Sequence, residues 1–320
     1  MNTKRAPKVR FKGFTDAWEL RKFESIAARA SSISADPTLP RVEYEDIISG
    51  IGLLNKDVKL KGISKPGIVF NQGDILYGKL RPYLHNWFLP SFSGLAVGDF
   101  WVLQPKDADS SFLFRLIQGQ QFDDVANQSI GTKMPRADWN LVSKTLFFVP
   151  TSIDEQALIG RYFRSIDNLI TLHQRKLDKM KDLKKAFLNL IFSQKLRFYG
   201  FTDSWELRNL DDEVRFYNGL TYTPSDIVEN DGTLVLRSSN VQNGEIVTDD
   251  NVYVRSEVVS SENVQVGDIT VVVRNGSKAL IGKHAKIREN MYSTVIGAFM
   301  TGIRSEHSSF INALLSTQSF

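Results

Sequence analysis

The chain has 320 residues, 42% hydrophobic and 24% charged, which excludes a disordered chain and leaves room for two ordinary domains and a connector. With no cysteine, disulfides, a thiol nucleophile and cysteine zinc sites are excluded, and only His85, His173, His284 and His307 remain for metal or general-base work. The net charge of +4 is uneven: residues 1–150 carry 20 Lys/Arg against 15 Asp/Glu, residues 151–199 carry 10 against 5, and residues 200–320 carry 10 against 16. A polyanion contact in the last third must therefore come from a local stripe rather than from bulk charge.

No run of eighteen apolar residues occurs, and the basic start MNTKRAPKVR has no apolar segment behind it. Neither a membrane span nor a signal peptide is expected, and the chain is expected to stay in the cytoplasm.

The first arm, Lys8 to Arg21, reads KVRFKGFTDAWELR, and Lys195 to Arg208 reads KLRFYGFTDSWELR, identical at eleven of fourteen positions. Such identity marks an internal repeat of an arm and a domain. Trp18 and Trp205 read as docking residues of the two arms, packed on their own domains or on a helix base. Further landmarks return. Gly73-Asp74-Ile75 corresponds to Gly267-Asp268-Ile269, each a turn feeding a strand, and Asp74 and Asp268 read as turn acids. Gly98 to Phe122 corresponds to Gly297 to Phe320, each a strand, a Ser-Ser-Phe loop and a short helix.

Strands are predicted in 1–150 near Gly67–Phe70, Ile75–Tyr77, Phe100–Leu103 and Thr145–Val149, with a helix near Ser111–Asn127. In 200–320 strands are predicted near Thr233–Arg237, Asn251–Val254, Thr270–Arg274 and Ile296–Gly302, with a helix near Ser309–Thr317. The fold class is α+β: two homologous, mixed, strand-rich domains joined by a long coiled-coil-type helix. The boundaries are 1–150, a helix at 151–194, and 195–320.

That helix opens at Pro150, with Ser152 as N-cap and Glu155 completing a capping box. Phe163, Ile166, Ile170, His173, Leu177, Met180, Lys184, Phe187 and Ile191 then recur at alternating steps of three and four, the seam of a coiled coil. About forty residues give a rod of roughly 60 Å, a spacer that pairs with another helix. His173 is a polar seam position that sets register. Phe163, Ile166, Ile170, Leu177, Met180, Phe187 and Ile191 form the expected pairing interface.

Two windows lack acids. One, between Asp74 and Asp99, holds Lys79, Arg81, Tyr83, His85 and Trp87; the other, from Thr270 to Arg288, holds Arg274, Lys278, Lys283, His284, Lys286 and Arg288. Cations with interleaved aromatics after a glycine turn suit phosphate contact and base-edge readout. A third patch, GTKMPR, adds Lys133 and Arg136 behind a Gly-Thr turn able to cradle a phosphate. The candidate DNA-binding residues are therefore Lys79, Arg81, Tyr83, Lys133, Arg136, Arg274, Lys278, Lys283 and Lys286. No G-x-x-x-x-G-K-[ST] loop, G-x-G-x-x-G fingerprint, nucleophile elbow or Asn-Pro-Pro-aromatic tetrad occurs. The chain reads as a recognition module without catalytic, cofactor or metal residues.

The repeated RFxGFTDxWELR arm (Arg10 to Arg21, Arg197 to Arg208), the turns at Gly73 and Gly267, GTKMPR at Gly131 to Arg136, and the helix opening at Pro150 to Ile170 together resemble the specificity subunit of type I DNA restriction-modification systems, C-terminally truncated. The resemblance implies two target-recognition domains, each reading half of a split double-stranded DNA target, with helix length setting the spacing between halves. It also implies docking of methyltransferase (modification) subunits and assembly with restriction/translocase subunits. S-adenosylmethionine, ATP and magnesium then belong to those partners, and the chain is no enzyme on its own.

Full-length family members end in a second long helix, for which this sequence has no counterpart. Leaving nine seam side chains unburied forgoes on the order of 10 kcal/mol at roughly 1.5 kcal/mol each. The chain is thus expected to self-associate through 151–192, to pair with a separately encoded helix, or to be a non-functional, recombined or truncated product. Two other classes stay open: a lone enzyme with an unrecognised site, and a coiled-coil adaptor that does not bind DNA.

Overall fold

The computed structural model describes residues 4–58, 65–128, 133–229 and 231–317. The chain divides into two compact units, Met1–Gln174 and Arg175–Phe320, so the division falls inside the long helix. Gly131 and Thr132 of the expected phosphate-cradling turn, and Phe320, lie outside the described residues.

Unit one contains β1 (Trp18–Lys22), β2 (Ala27–Arg29), β3 (Ile33–Ser34), β4 (Arg41–Val42), β5 (Gly67–Phe70), β6 (Ile75–Gly78), β7 (Trp87–Phe88), β8 (Gly94–Ala96) and β9 (Phe100–Pro105). Helices α1 (Ser110–Leu116), α2 (Gln120–Ala126) and α3 (Trp139–Lys144) follow, then β10 (Leu146–Val149) and the long helix α4 (Ile153–Phe192). The central sheet has the order β7-β6-β9-β2, and a second sheet the order β3-β5-β8-β4. Every residue of β6 is buried, as its unbroken apolar run requires when both faces are covered. The predicted single helix over Ser111–Asn127 is instead two, because Gly119 interrupts it and serves as the N-cap of α2.

Unit two contains β11 (Arg215–Asn218), β12 (Ile227–Val228), β13 (Thr233–Leu236), β14 (Val252–Val254), β15 (Ile269–Val272), β16 (His284–Lys286), β17 (Thr294–Ile296), β18 (Met300–Arg304) and α5 (Ser308–Leu315). The predicted strand over Ile296–Gly302 is two strands, β17 and β18, separated by the turn whose Met300 amide bonds the Gly297 carbonyl.

The two central sheets share one topology. Matching β7 with β16, β6 with β15, β9 with β18 and β2 with β11 reproduces the order strand for strand, and all pairings are antiparallel. Each second sheet likewise keeps one parallel pair, β4 with β8 and β13 with β17. The Gly-Asp turns match too. Asp74 accepts from the Asn71 amide at 2.8 Å, and Asp268 from the Gln265 amide at 2.9 Å. Gly73 and Gly267 adopt φ of 90° and 98°, a region that favours glycine, and each faces the first serine of the following helix, Ser110 or Ser308.

The units differ in what fills them. Unit one packs Phe23, Tyr77, Trp101, Phe112, Phe122 and Phe147 into one aromatic core, whereas unit two relies on Leu236, Val272, Ile287 and Ile296 around Tyr217 and Met300. A side chain at Gly302 would collide with the Tyr217 ring stacked over it.

The opening of α4 is held differently from the expected capping box. Ser152 Oγ accepts the Glu155 amide at 3.3 Å, but the Glu155 carboxylate does not turn back onto the cap. It accepts two bonds from Arg10, both 2.6 Å, and one from Trp18 Nε1 at 3.2 Å. A buried carboxylate is better satisfied by a bidentate guanidinium and an indole than by one exposed amide. Along α4, Phe163, Ile170, Leu177, Met180 and Phe187 are exposed, while Ile166 and Ile191 are half-buried. Leu169, Leu172, Leu183 and Leu190, each one position before a seam member, are exposed as well. The apolar stripe is therefore wider than the seam alone.

Candidate nucleic-acid interface

Both acid-poor windows span one kind of element, a hairpin and its connection, β6–β7 in unit one and β15–β16 in unit two. In unit one this connection carries Lys79, Arg81 and Tyr83. Arg81 has a left-handed backbone, φ 50°, and its amide donates to the Pro135 carbonyl at 2.8 Å. An antiparallel bridge between Leu80 and Arg136 brings the GTKMPR patch against this loop. Lys79, Arg81 and Arg136 thus form one edge although more than fifty residues separate them in the chain. Lys133, exposed, lies three residues before Arg136, and Tyr83 is also exposed.

The window is free of acids in sequence but not in space. Arg136 Nη2 lies 2.9 Å from Asp99 Oδ2, and Lys79 Nζ lies 3.6 Å from Asp99 Oδ1. Asp99 fixes where the two cations sit and leaves the pair with a net positive charge. Tyr44 supports the arrangement from beneath: its hydroxyl donates to the Asp99 carbonyl and accepts the Leu80 amide at 3.3 Å. Burial raises the Tyr44 phenol well above its ordinary range, so it stays protonated and keeps donating. His85 is held by Asp123 at 2.9 Å and stacks on Trp87 with centroids 4.8 Å apart.

Lys79 and Arg136 also line an open groove of about 430 Å³ with Arg29, Trp101, Asp138, Trp139 and Asn140. The Arg29 guanidinium lies over the Trp139 ring, 4.7 Å from its centroid, and Trp139 meets Trp101 edge to face. Reading the sequence missed Arg29, Trp139 and Asn140. Arg29 belongs to a three-residue strand without a motif, and Trp139 is visible only as the residue after Asp138, the N-cap of α3. The groove offers guanidinium and ammonium groups beside aromatic faces, a set of groups that can hold phosphate and stack on or hydrogen-bond to bases.

In unit two Arg274, Lys278 and Lys283 are exposed on the β15–β16 connection. The loop is pinned by an Asn275–Ser238 bond of 3.0 Å and by the Gly282 amide on the Val272 carbonyl at 2.9 Å. Lys286 is not brought to this group: it is on β16 itself and donates to Ser309 Oγ of α5 at 2.9 Å. His284, two residues earlier on the same face, meets Ser316 Oγ at 3.0 Å. No group of His, Asp and Glu able to hold a metal occurs among the described residues, and none of their helices is long and apolar enough to cross a membrane.

The sequence matches no protein-family model. Among curated proteins it is 24% identical over 203 residues to the type I restriction enzyme EcoDI specificity subunit of Escherichia coli, covering 61% of this chain and 44% of that protein. It is 25% identical over 142 residues to the MjaVIII specificity subunit of Methanocaldococcus jannaschii, covering 41% and 33%. The chain is similar over part of its length to type I specificity subunits. Its matches span less than half the length of these relatives. In fold, a chain solved in work on complex assembly and conformational transition of the type I R-M system matches with a TM-score of 0.54 at 16% identity, over 98% of this chain and 83% of that one. A type I restriction-modification S subunit from M. genitalium matches with a TM-score of 0.50 at 13% identity, over 97% and 79%.

Proposed function

We propose that this chain is a DNA-recognition subunit of a type I restriction-modification complex, in which each unit reads one half of a bipartite double-stranded target. The observation that carries the reading is the repetition of one cationic hairpin connection on one sheet topology, in a chain whose curated relatives are type I specificity subunits. Lys79, Arg81, Lys133 and Arg136 contact DNA in unit one, with Tyr83 beside them. Arg274, Lys278 and Lys283 do so in unit two, and Lys286 steadies α5 behind them.

The chain has no catalytic role of its own in this proposal and acts in the cytoplasm. Modification subunits dock on it and supply methyl transfer from S-adenosylmethionine; restriction/translocase subunits supply ATP- and magnesium-dependent work. Helix α4 connects the two readers and offers its exposed apolar stripe to a second helix, in self-association or from another chain. The test is the affinity of the purified chain for duplex DNA as a function of salt. A log–log slope of about −0.9 per neutralised phosphate is expected. Affinity that is absent, or indifferent to salt, would favour the adaptor reading instead.

A further inference from the structure

Each unit carries a second, smaller hairpin ahead of its cationic connection, and the two are alike at the base and unlike at the tip. In unit one Ile47–Ile48 pairs with Leu53–Leu54, and in unit two Val241–Gln242 pairs with Glu245–Ile246. The Asp46 side chain accepts the Glu43 amide at 2.8 Å, and its carbonyl accepts the Asn55 amide at 2.9 Å. Asn240 repeats both bonds, with the Arg237 amide at 2.9 Å and the Val247 amide at 2.8 Å. Ile47 and Val241 point inward and are buried.

The outward faces differ. In unit two Gln242 stands opposite Glu245 across an Asn243-Gly244 turn, and all four are exposed, the polar set that suits water. In unit one Ile48 stands opposite Leu53 with Ile51 between them, and these three apolar residues are 37%, 45% and 56% exposed. Residues 47–54, IISGIGLL, carry no charge. The tip is also held firmly. The Gly50 amide donates to the His85 carbonyl at 3.0 Å, and the Ser49 hydroxyl donates to Asn86 Oδ1 at 2.8 Å. Gly52 packs so closely that a Cβ there would lie 2.9 Å from Phe114 Cζ and 3.2 Å from Trp87 Cδ1. His85 and Asn86 close the connection that carries Lys79, Arg81 and Tyr83, so the apolar tip continues the cationic edge.

We propose that this tip is a specificity element of unit one: Ile48, Ile51 and Leu53 enter the major groove and pack on the C5-methyl groups of thymines, while the adjoining cations hold phosphates. The proposal rests on the DNA-reading function above. A two-stranded ribbon fits the major groove, where the thymine methyl is the apolar group on the base edges. A stable protein partner would cover roughly 800 Å² on this side, far more than three side chains at a hairpin tip offer. The polar tip of unit two has no apolar side chain to make the contact, so thymine methyls are read in one half of the target only.

The full chain is used to select binding sites from a library of random duplexes, and each selected thymine is then replaced by uracil, which removes only the methyl group. At one or two positions of one half, uracil is expected to weaken binding about fourfold, the effect of one buried methyl. Ile51→Ala combined with Leu53→Ala abolishes that discrimination, with the other half of the motif, the salt slope and the melting curve unchanged. Asn243→Ala leaves it in place. A selected motif indifferent to uracil, sensitive to it in both halves, or still sensitive in the doubly substituted chain would overturn this proposal and leave the DNA-reading function standing. An unchanged motif with loss of a co-purifying modification subunit would overturn it too, by assigning the tip to a protein. Absence of duplex binding would overturn both.

Discussion

Unit one and unit two run the same sheet order through unrelated side chains, and they differ most where their sequences are most alike. Unit one stacks aromatics, Phe23 on Phe122 at 5.2 Å and Tyr77 on Trp101 at 5.6 Å, and seals its arm by pairing β1 with β10. Unit two fills the same topology with aliphatic residues and leaves Phe198, Phe201 and Leu207 in solvent. Topology here follows from Gly-Asp turns, strand alternation and hairpin connections, which tolerate any core of the right volume. The state of an arm depends instead on its long-range partner, so eleven shared residues give two outcomes.

The comparison breaks most severely in the aromatic core. Phe23→Ala removes a fully buried ring that touches Phe122, Trp139 and Phe147, and should cost unit one about 3–5 kcal/mol. Hydrogen exchange should show faster opening of β6 and β9 while β15 and β18 stay protected. Gly160→Ala should cost less, about 1–3 kcal/mol, by forcing α4 away from Ser111, again with protection lost in unit one alone.

Smaller effects test the equivalence of the two hairpins. Arg136→Ala and Arg274→Ala should each lower DNA affinity uniformly across sequences and flatten the salt slope by about 1. A change confined to Arg136→Ala would restrict DNA contact to unit one.

The smallest effect concerns acid. Asp226 accepts from the Thr223 hydroxyl and amide and pairs with Arg255, which holds its carboxyl down at about 2 against an ordinary 3.8. A depressed folded-state pKa contributes stability above the ordinary value and loses it as pH falls. Asp226→Asn should therefore flatten the stability profile between about pH 4 and pH 2 and leave its shape at neutral pH unchanged.

Much of the scaffold is legible in the sequence where local signals suffice. The runs Ile75-Leu76-Tyr77 and Phe100-Trp101-Val102-Leu103 read as strands because each is an apolar stretch behind a turn, and the repeat exposes the pairing of the units. Two-residue strands such as Ile33–Ser34 carry no periodicity, and Gly119 breaks a helix whose flanks both look helical. The site was less legible, because its decisive contacts are long-range. Asp99 lies at the sequence edge of a window whose cations it holds, and the Leu80–Arg136 bridge is set by tertiary structure. Glu155 has the spacing of a capping box, but an arm 145 residues away takes its carboxylate.

The most direct test of two equivalent readers is to co-purify the chain with the modification subunit encoded nearest to it, treat DNA with the complex, and map methylated adenines. The expected result is a split motif with two defined halves. A motif with one defined half, a symmetric motif built from one half repeated, or no methylation would contradict it.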